Sequence, residues 1–181
     1  ADTMLVGFLG GAKVAAEFYL VWKIAEGLVI LLGKISESMA PYFVQMDVRS
    51  EHVELKRIVR LGYAAVGAAS LFTGIVYALL GPYLVALWVG EAHAPSNPLS
   101  YALAGGAIFW IGISRLPVVL ASARVALRQL NWAGGIELLG KLAVTLLLFP
   151  HFGYVAVLLG INLVHGLGVS TLYFRLLRRT P

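Results

Sequence analysis

Long apolar runs fill this chain, and the positions that interrupt them say how it is organised. The stretch from Tyr19 to Pro41 (YLVWKIAEGLVILLGKISESMAP) is long and apolar enough to cross a bilayer, yet it carries Lys23, Glu26, Lys34 and Glu37. At about 100° per residue, those four charges, with Tyr19 above and Pro41 below, fall inside one arc of roughly 80°. A charge left in lipid near the bilayer centre costs roughly 2.5–3.5 kcal/mol, whereas a large apolar side chain returns only about 0.3–0.6 kcal/mol. The charged stripe is therefore expected to face other protein or a wet cavity.

The rest of the pattern predicts an all-α polytopic bundle of about six membrane helices, forming one unit over residues 1–181. Residues 1–10 are a partial helix: Met4 to Leu9 is too short to span at about 1.5 Å per residue and stops at Gly10-Gly11. It reads as the tail of a truncated helix, and the chain as a piece of a longer one. Membrane helices are expected over residues 14–43, 61–89, 101–123, 132–149 and 154–174. Lys13 and Glu17 pair at i,i+4 near the start of the striped helix, and Pro41 loosens its far end. Residues 45–60 (QMDVRSEHVELKRIVR) are the sustained polar segment, read as a loop leading into a short amphipathic entry helix. Leu61 to Gly90 then carries no charge, with a kink expected at Gly81-Pro82. Glu91 to Ser100 (EAHAPSNPLS) is a loop, and Pro150 to Gly153 a tight turn.

Composition strengthens the membrane reading. Hydrophobic residues make up 60% of the 181, charged residues 13%, and mean hydropathy is +0.85, well outside the soluble range. No cysteine is present, which excludes disulfides and thiolate metal sites. The net charge of +5 does not point to nucleic acid, because the basic residues gather at the ends of apolar segments. Arg49, Lys56, Arg57 and Arg60 lie in one connection, Arg124 and Arg128 in another, and Arg175, Arg178 and Arg179 in the tail. The alternate connections, 91–100 and 150–153, hold no Lys or Arg. The positive-inside rule then makes 45–60 a cytoplasmic basic connection and the C-terminus cytoplasmic in a multi-pass protein.

Several landmarks together resemble the second half of an oligosaccharide or O-antigen flippase of the multidrug/oligosaccharidyl-lipid/polysaccharide exporter superfamily. They are Asp2 with Gly7-Phe8-Leu9-Gly10, Ser38-Met39-Ala40-Pro41-Tyr42-Phe43, the basic segment to Arg60, Leu87-Trp88-Val89-Gly90 and Phe152-Gly153-Tyr154. The resemblance runs over almost the whole chain. It implies the C-terminal six of twelve helices around a central cavity, in a bacterial inner membrane. The implied function is transport of an undecaprenyl-diphosphate-linked oligosaccharide for O-antigen, lipopolysaccharide or other polysaccharide biosynthesis. It also implies partners: the lipid-linked oligosaccharide, membrane lipids, and a first-half bundle or a second copy of the chain.

Candidate residues follow. Lys23, Glu26, Lys34, Glu37 and Arg115 are the candidate cavity lining, where cations would meet a diphosphate. Lys34 lies deeper than Lys23, and Arg115, followed by Pro117, is expected at a depth similar to Lys34. The bland alternatives are i,i+3 pairing of Lys23-Glu26 and Lys34-Glu37, and snorkelling of Arg115 toward the headgroups. Asp2, Glu137 and His165 are candidates for ion or proton coupling, Asp2 by the resemblance. Against that, Glu137 and Lys141 are expected to pair at i,i+4, and Asn162 and His165 to hydrogen-bond between helices. Gly105-Gly106, Gly134-Gly135, Gly160, Gly166 and Gly168 read as close helix packing. His52, His93 and His151 make no metal-ligand pattern, and there is no P-loop, Rossmann or nucleophile-elbow motif, so neither metal nor cofactor is expected and the chain is not read as an enzyme. Three other readings stay open: a drug/cation antiporter half of the same superfamily, a non-transporting membrane scaffold, and a subunit of a membrane glycan polymerase. The last would want a substantial periplasmic loop, and EAHAPSNPLS is short.

Overall fold

Glycine and proline set the breaks between helices. The computed structural model describes residues 2–49, 52–123 and 127–169, and the segments between and beyond them are left aside. Helix α1 (Asp2–Glu37) is interrupted at Gly11, whose φ of 81° and ψ of 175° belong to no helix, so a short opening piece meets a longer one there. This is the break that Gly10-Gly11 predicts. The long piece ends earlier than the expected residue 43. Ser38 and Met39 form a turn before α2 (Ala40–Val48), with Met39 N–H donating to the Ser36 carbonyl at 3.1 Å. Proline explains the position: inside a helix Pro41 would remove one hydrogen bond and clash with the preceding turn, but in the first turn of α2 it does neither.

Helix α3 (His52–Val89) is one unbroken element of 38 residues, about 57 Å long at 1.5 Å per residue, and Pro82 lies within it. The entry helix expected in the polar segment starts at His52 and runs without a break into the apolar span, forming the first turns of α3. Leu55 in those turns is buried with Phe43 of α2 and with Leu116 and Leu120 of α4 (Pro98–Ala123), which gives a polar stretch its reason to stay helical. Between α3 and α4, Gly90 at φ 85° turns the chain into a single 3-10 turn, Glu91–His93. Helix α5 (Leu127–Phe152) runs three residues past the expected end, carrying Pro150 inside it, and Gly153 at φ 54° makes the turn into α6 (Val155–Leu163). A π-helical segment, Val164–Val169, follows directly. The expected helix to residue 174 and the tail arginines, like Arg124, lie outside the described residues.

Helix α4 is the hub: it packs on α1, α3, α5 and α6, and its contact with α3 is the most extensive. The main core joins Phe18, Val21 and Ala25 of α1, Tyr77 and Val85 of α3, Ala104 and Ile108 of α4, and Val157 and Leu158 of α6. Its polar ties are few. The Tyr77 hydroxyl donates to the Val21 carbonyl, and Asn162 Nδ2 donates to the Leu103 carbonyl at 2.8 Å, fixing α6 to α4.

All described elements are helical, with no strand among them. Three helices are long and apolar enough to cross a membrane: Val53–Val89, Pro98–Ser122 and Leu130–Phe152. Half of the α4 window is buried inside the bundle, against 28% for α3 and 11% for α5. Helix α5 exposes Leu138, Leu139, Leu146 and Leu147, an apolar face suited to lipid or to another membrane helix and not to water. The chain is a membrane protein. The described part of the last expected span, Val155–Gly166, is shorter, and α1 carries the charged stripe instead of an uninterrupted apolar window.

Candidate functional site

The two faces of α1 have opposite jobs. Phe18, Val21, Ala25, Val29, Leu32 and Ser36 are buried, a three-and-four spacing that lays one side of the helix on α3, α4 and α6. Tyr19, Lys23, Ile30, Lys34 and Glu37 are exposed on the other side, and Glu26 is half-buried among them. The stripe therefore lies on the outside of this bundle and not in its interior. Lys23 Nζ donates to Glu26 at 3.0 Å and Lys34 Nζ to Glu37 at 2.7 Å, so both i,i+3 pairs form. Side-chain exposure is 50% and 43% in the first pair and 70% and 54% in the second. Among the described residues nothing covers them.

Arg115 reaches this surface from α4. Its Nε lies 3.7 Å from where a Cβ on Gly33 would stand, so the guanidinium arm crosses α1 at a bare position one residue before Lys34. That places Arg115 at the depth of Lys34. Its Nε is buried and makes no hydrogen bond among the described residues, and both Glu37 and Glu137 lie within electrostatic reach. Arg115 thus links the outer stripe to the charges of α5.

On α5 the pairing departs from expectation. Glu137 and Lys141 are not each other's closest partner: Lys141 Nζ donates to Asp2 at 2.8 Å, and Glu137 meets His165 Nε2 at 2.9 Å. The four groups form two rungs between α5 and its neighbours, one to the opening turn of α1 and one to the π-helical segment. Their side chains are largely covered, His165 at 8% and Lys141 at 19% exposure. Local spacing suggested the i,i+4 pair because it cannot see a residue 139 positions away. A signal was present nonetheless. Once the stripe has paired with itself, Asp2 and His165 remain among the intramembrane ionisable groups beside Arg115, Glu137 and Lys141, and a covered charge needs a partner.

The glycine expectations divide. Gly105 meets the Gly74 carbonyl, Gly106 the Asn162 amide, Gly160 the Lys141 carbonyl and Gly166 the Trp110 ring, all closer than a Cβ tolerates without adjustment. Gly134 and Gly135 meet nothing within 4 Å among the described residues, so no close helix contact forms at them within this bundle. The position of Gly168 relative to its neighbours lies outside what is described. Comparison of the chain with protein-family models, with curated proteins and with solved structures gives no match, so the site is read from its own geometry.

Proposed function

We propose that the chain is one bundle of a flippase that moves a lipid-linked oligosaccharide, carried on undecaprenyl diphosphate, across a bacterial inner membrane. The observation that carries this reading is the charged stripe on the outer face of a membrane helix, with Arg115 laid over Gly33 beside Lys34. Charges at that depth are costly against lipid, and pairing within the helix leaves their remaining hydrogen-bonding capacity unmet. They call for water and a facing partner, either a first-half bundle or a second copy of the chain. A cavity closed between two such faces would present Lys34 and Arg115 to an anionic group, with Lys23 further along the same wall. Glu37 is paired with Lys34 and Glu137 with His165, so neither carboxylate is committed to Arg115, which is left as the cation for a diphosphate to meet. The polyprenyl tail would stay in the bilayer while the bundles rock around the head group. Asp2, Glu137 and His165, drawn together with Lys141 behind this wall, are the groups placed to couple the motion to a cation or proton.

Translocation of a fluorescent lipid-linked oligosaccharide in proteoliposomes tests the reading. The chain joined to a matching first half should be active, and Lys34→Ala with Arg115→Ala should reduce the rate at least tenfold at normal insertion. Unchanged activity in that double variant would remove the cationic wall from the mechanism.

A further inference from the structure

At the end of the bundle away from α2, a cavity of about 540 Å³ opens between α1, the 91–97 loop and Tyr154. Its size falls within the range of small-molecule sites, about 300–1,000 Å³. Polar groups line it from two sides: Lys13 and Glu17 from successive turns of α1, and His93, Ser96 and Asn97 from the loop. Leu20, Pro95 and Tyr154 supply apolar wall, and the Tyr154 ring is itself braced edge-on by Phe18, centroids 6.5 Å apart.

The loop wall is built in advance. His93 N–H donates to the Gly90 carbonyl at 3.1 Å, and the Tyr101 hydroxyl to the Pro95 carbonyl at 3.0 Å. Asn97 Oδ1 accepts from Leu99 N–H at 3.1 Å, and the Asn97 carbonyl accepts from the Ser100 hydroxyl at 2.6 Å. Those bonds hold the backbone of residues 90–100 and orient the Asn97 amide, leaving its NH2 group as a donor. A ligand entering here therefore meets a wall that needs little ordering, which is where affinity is otherwise lost.

Charge decides the ligand class. One ammonium and one carboxylate cancel, so an anion would gain Lys13 and meet Glu17, and a cation the reverse. A neutral polyol suffers neither conflict, since each hydroxyl both donates and accepts. The Glu17 carboxylate can accept from two adjacent hydroxyls, the amide, imidazole and Ser96 hydroxyl can bond others, and a sugar's C–H face can lie on the apolar wall. A zwitterionic headgroup would pair with the two charges and offer the loop only acceptor oxygens, whereas a polyol meets the loop's donors and acceptors alike. We propose that this cleft is a binding site for a neutral glycan unit. The inference does not rest on the flippase reading, because the cleft is formed by α1, the 91–97 loop and Tyr154, without Lys34 or Arg115.

The test is titration of the full chain in lipid nanodiscs with methyl glycosides of glucose, galactose and N-acetylglucosamine, read by saturation-transfer NMR. At least one should bind saturably, with Glu17→Gln and His93→Ala each weakening it about tenfold and Gln45→Ala, exposed on α2 at the opposite end, leaving it unchanged. Both positions border the cleft outside the main core, and thermal melting of each variant reports any loss of fold. Absence of saturable binding by all three, or binding indifferent to both variants, would overturn the proposal. So would displacement by inorganic phosphate or phosphoethanolamine, which would reassign the cleft to an anion or a zwitterionic headgroup. Unchanged flipping in the Lys34→Ala, Arg115→Ala variant, with glycoside binding intact, would count against the transport reading alone.

Discussion

The exchange of partners on α5 has consequences for single residues. Lys141 sits 2.8 Å from Asp2 with 19% of its side chain exposed, so removing the carboxylate leaves a covered ammonium with a weakened environment. Breaking a buried pair from one side costs about 3–5 kcal/mol, while replacing both members with neutral groups of similar volume is often close to neutral. Asp2→Asn is expected to lower stability by about 3 kcal/mol, the lower end because the pair is not fully enclosed. Asp2→Asn combined with Lys141→Met should recover most of the loss, measured by reversible unfolding in detergent micelles. Equal loss in the single and double variants would mean that the bridge is incidental. Sequence singled out Asp2, Glu137 and His165 as a set of intramembrane ionisable residues, and spacing alone then misassigned the partners. Arg115 was legible in a different way: its distance into α4 gave its depth, but only the bare surface at Gly33 accounts for how the arm lies against α1.

At the scale of elements, the tightest contact is between α3 and α4, where backbone meets backbone. A Cβ on Gly74 would come within 2.5 Å of the Gly105 carbonyl oxygen, and one on Gly105 within 2.4 Å of that of Gly74. Neither neighbour is a side chain that can swing away, so Gly74→Ala or Gly105→Ala must push the helices apart. Overpacking of this kind costs about 1–3 kcal/mol. Gly134→Ala, facing open space in α5, should be neutral or stabilise by roughly 0.5–1 kcal/mol through helix propensity. Thermal unfolding of the three variants separates the two classes, and a destabilising Gly134→Ala would point to a contact on the outer face of α5. The sequence marked Gly105-Gly106 and Gly134-Gly135 alike, and passed over Gly74, because a glycine's spacing does not tell which way its helix is turned. The breaks at Gly11 and near Pro41 were legible from local chemistry, whereas the continuous start of α3 was not. Its polar composition reads as a short entry helix separate from the span, and what joins the two into one element is Leu55 held against Phe43 and Leu116, a contact made only in three dimensions.

For the whole molecule, the loops sort to two ends. Lys13, the 91–97 loop and Tyr154 come together around one cleft, while Phe43, Leu55, Leu116 and Leu120 gather at the other end. That segregation matches the alternation read from basic residues, since Arg49, Lys56, Arg57 and Arg60 accompany the second group and the 91–97 loop has neither Lys nor Arg. Which way α1 turns its stripe was not legible, because an amphipathic membrane helix satisfies the same periodicity facing inward or outward. The bundle resolves it by burying Phe18, Val21 and Ala25, whose packing is unavailable to the charged side. For orientation across the bilayer the positive-inside rule predicts a cytoplasmic basic end, an expectation that labelling tests. The chain has no cysteine, so one introduced thiol reports one site. In intact cells a membrane-impermeant maleimide should label Ser96→Cys and spare Arg49→Cys, which reacts only after permeabilisation. Labelling of both from outside would break the alternation itself. The reverse pattern would keep the bundle and invert it, placing the glycan cleft in the cytoplasm and the basic connection outside, against the charge bias that sets orientation in such proteins.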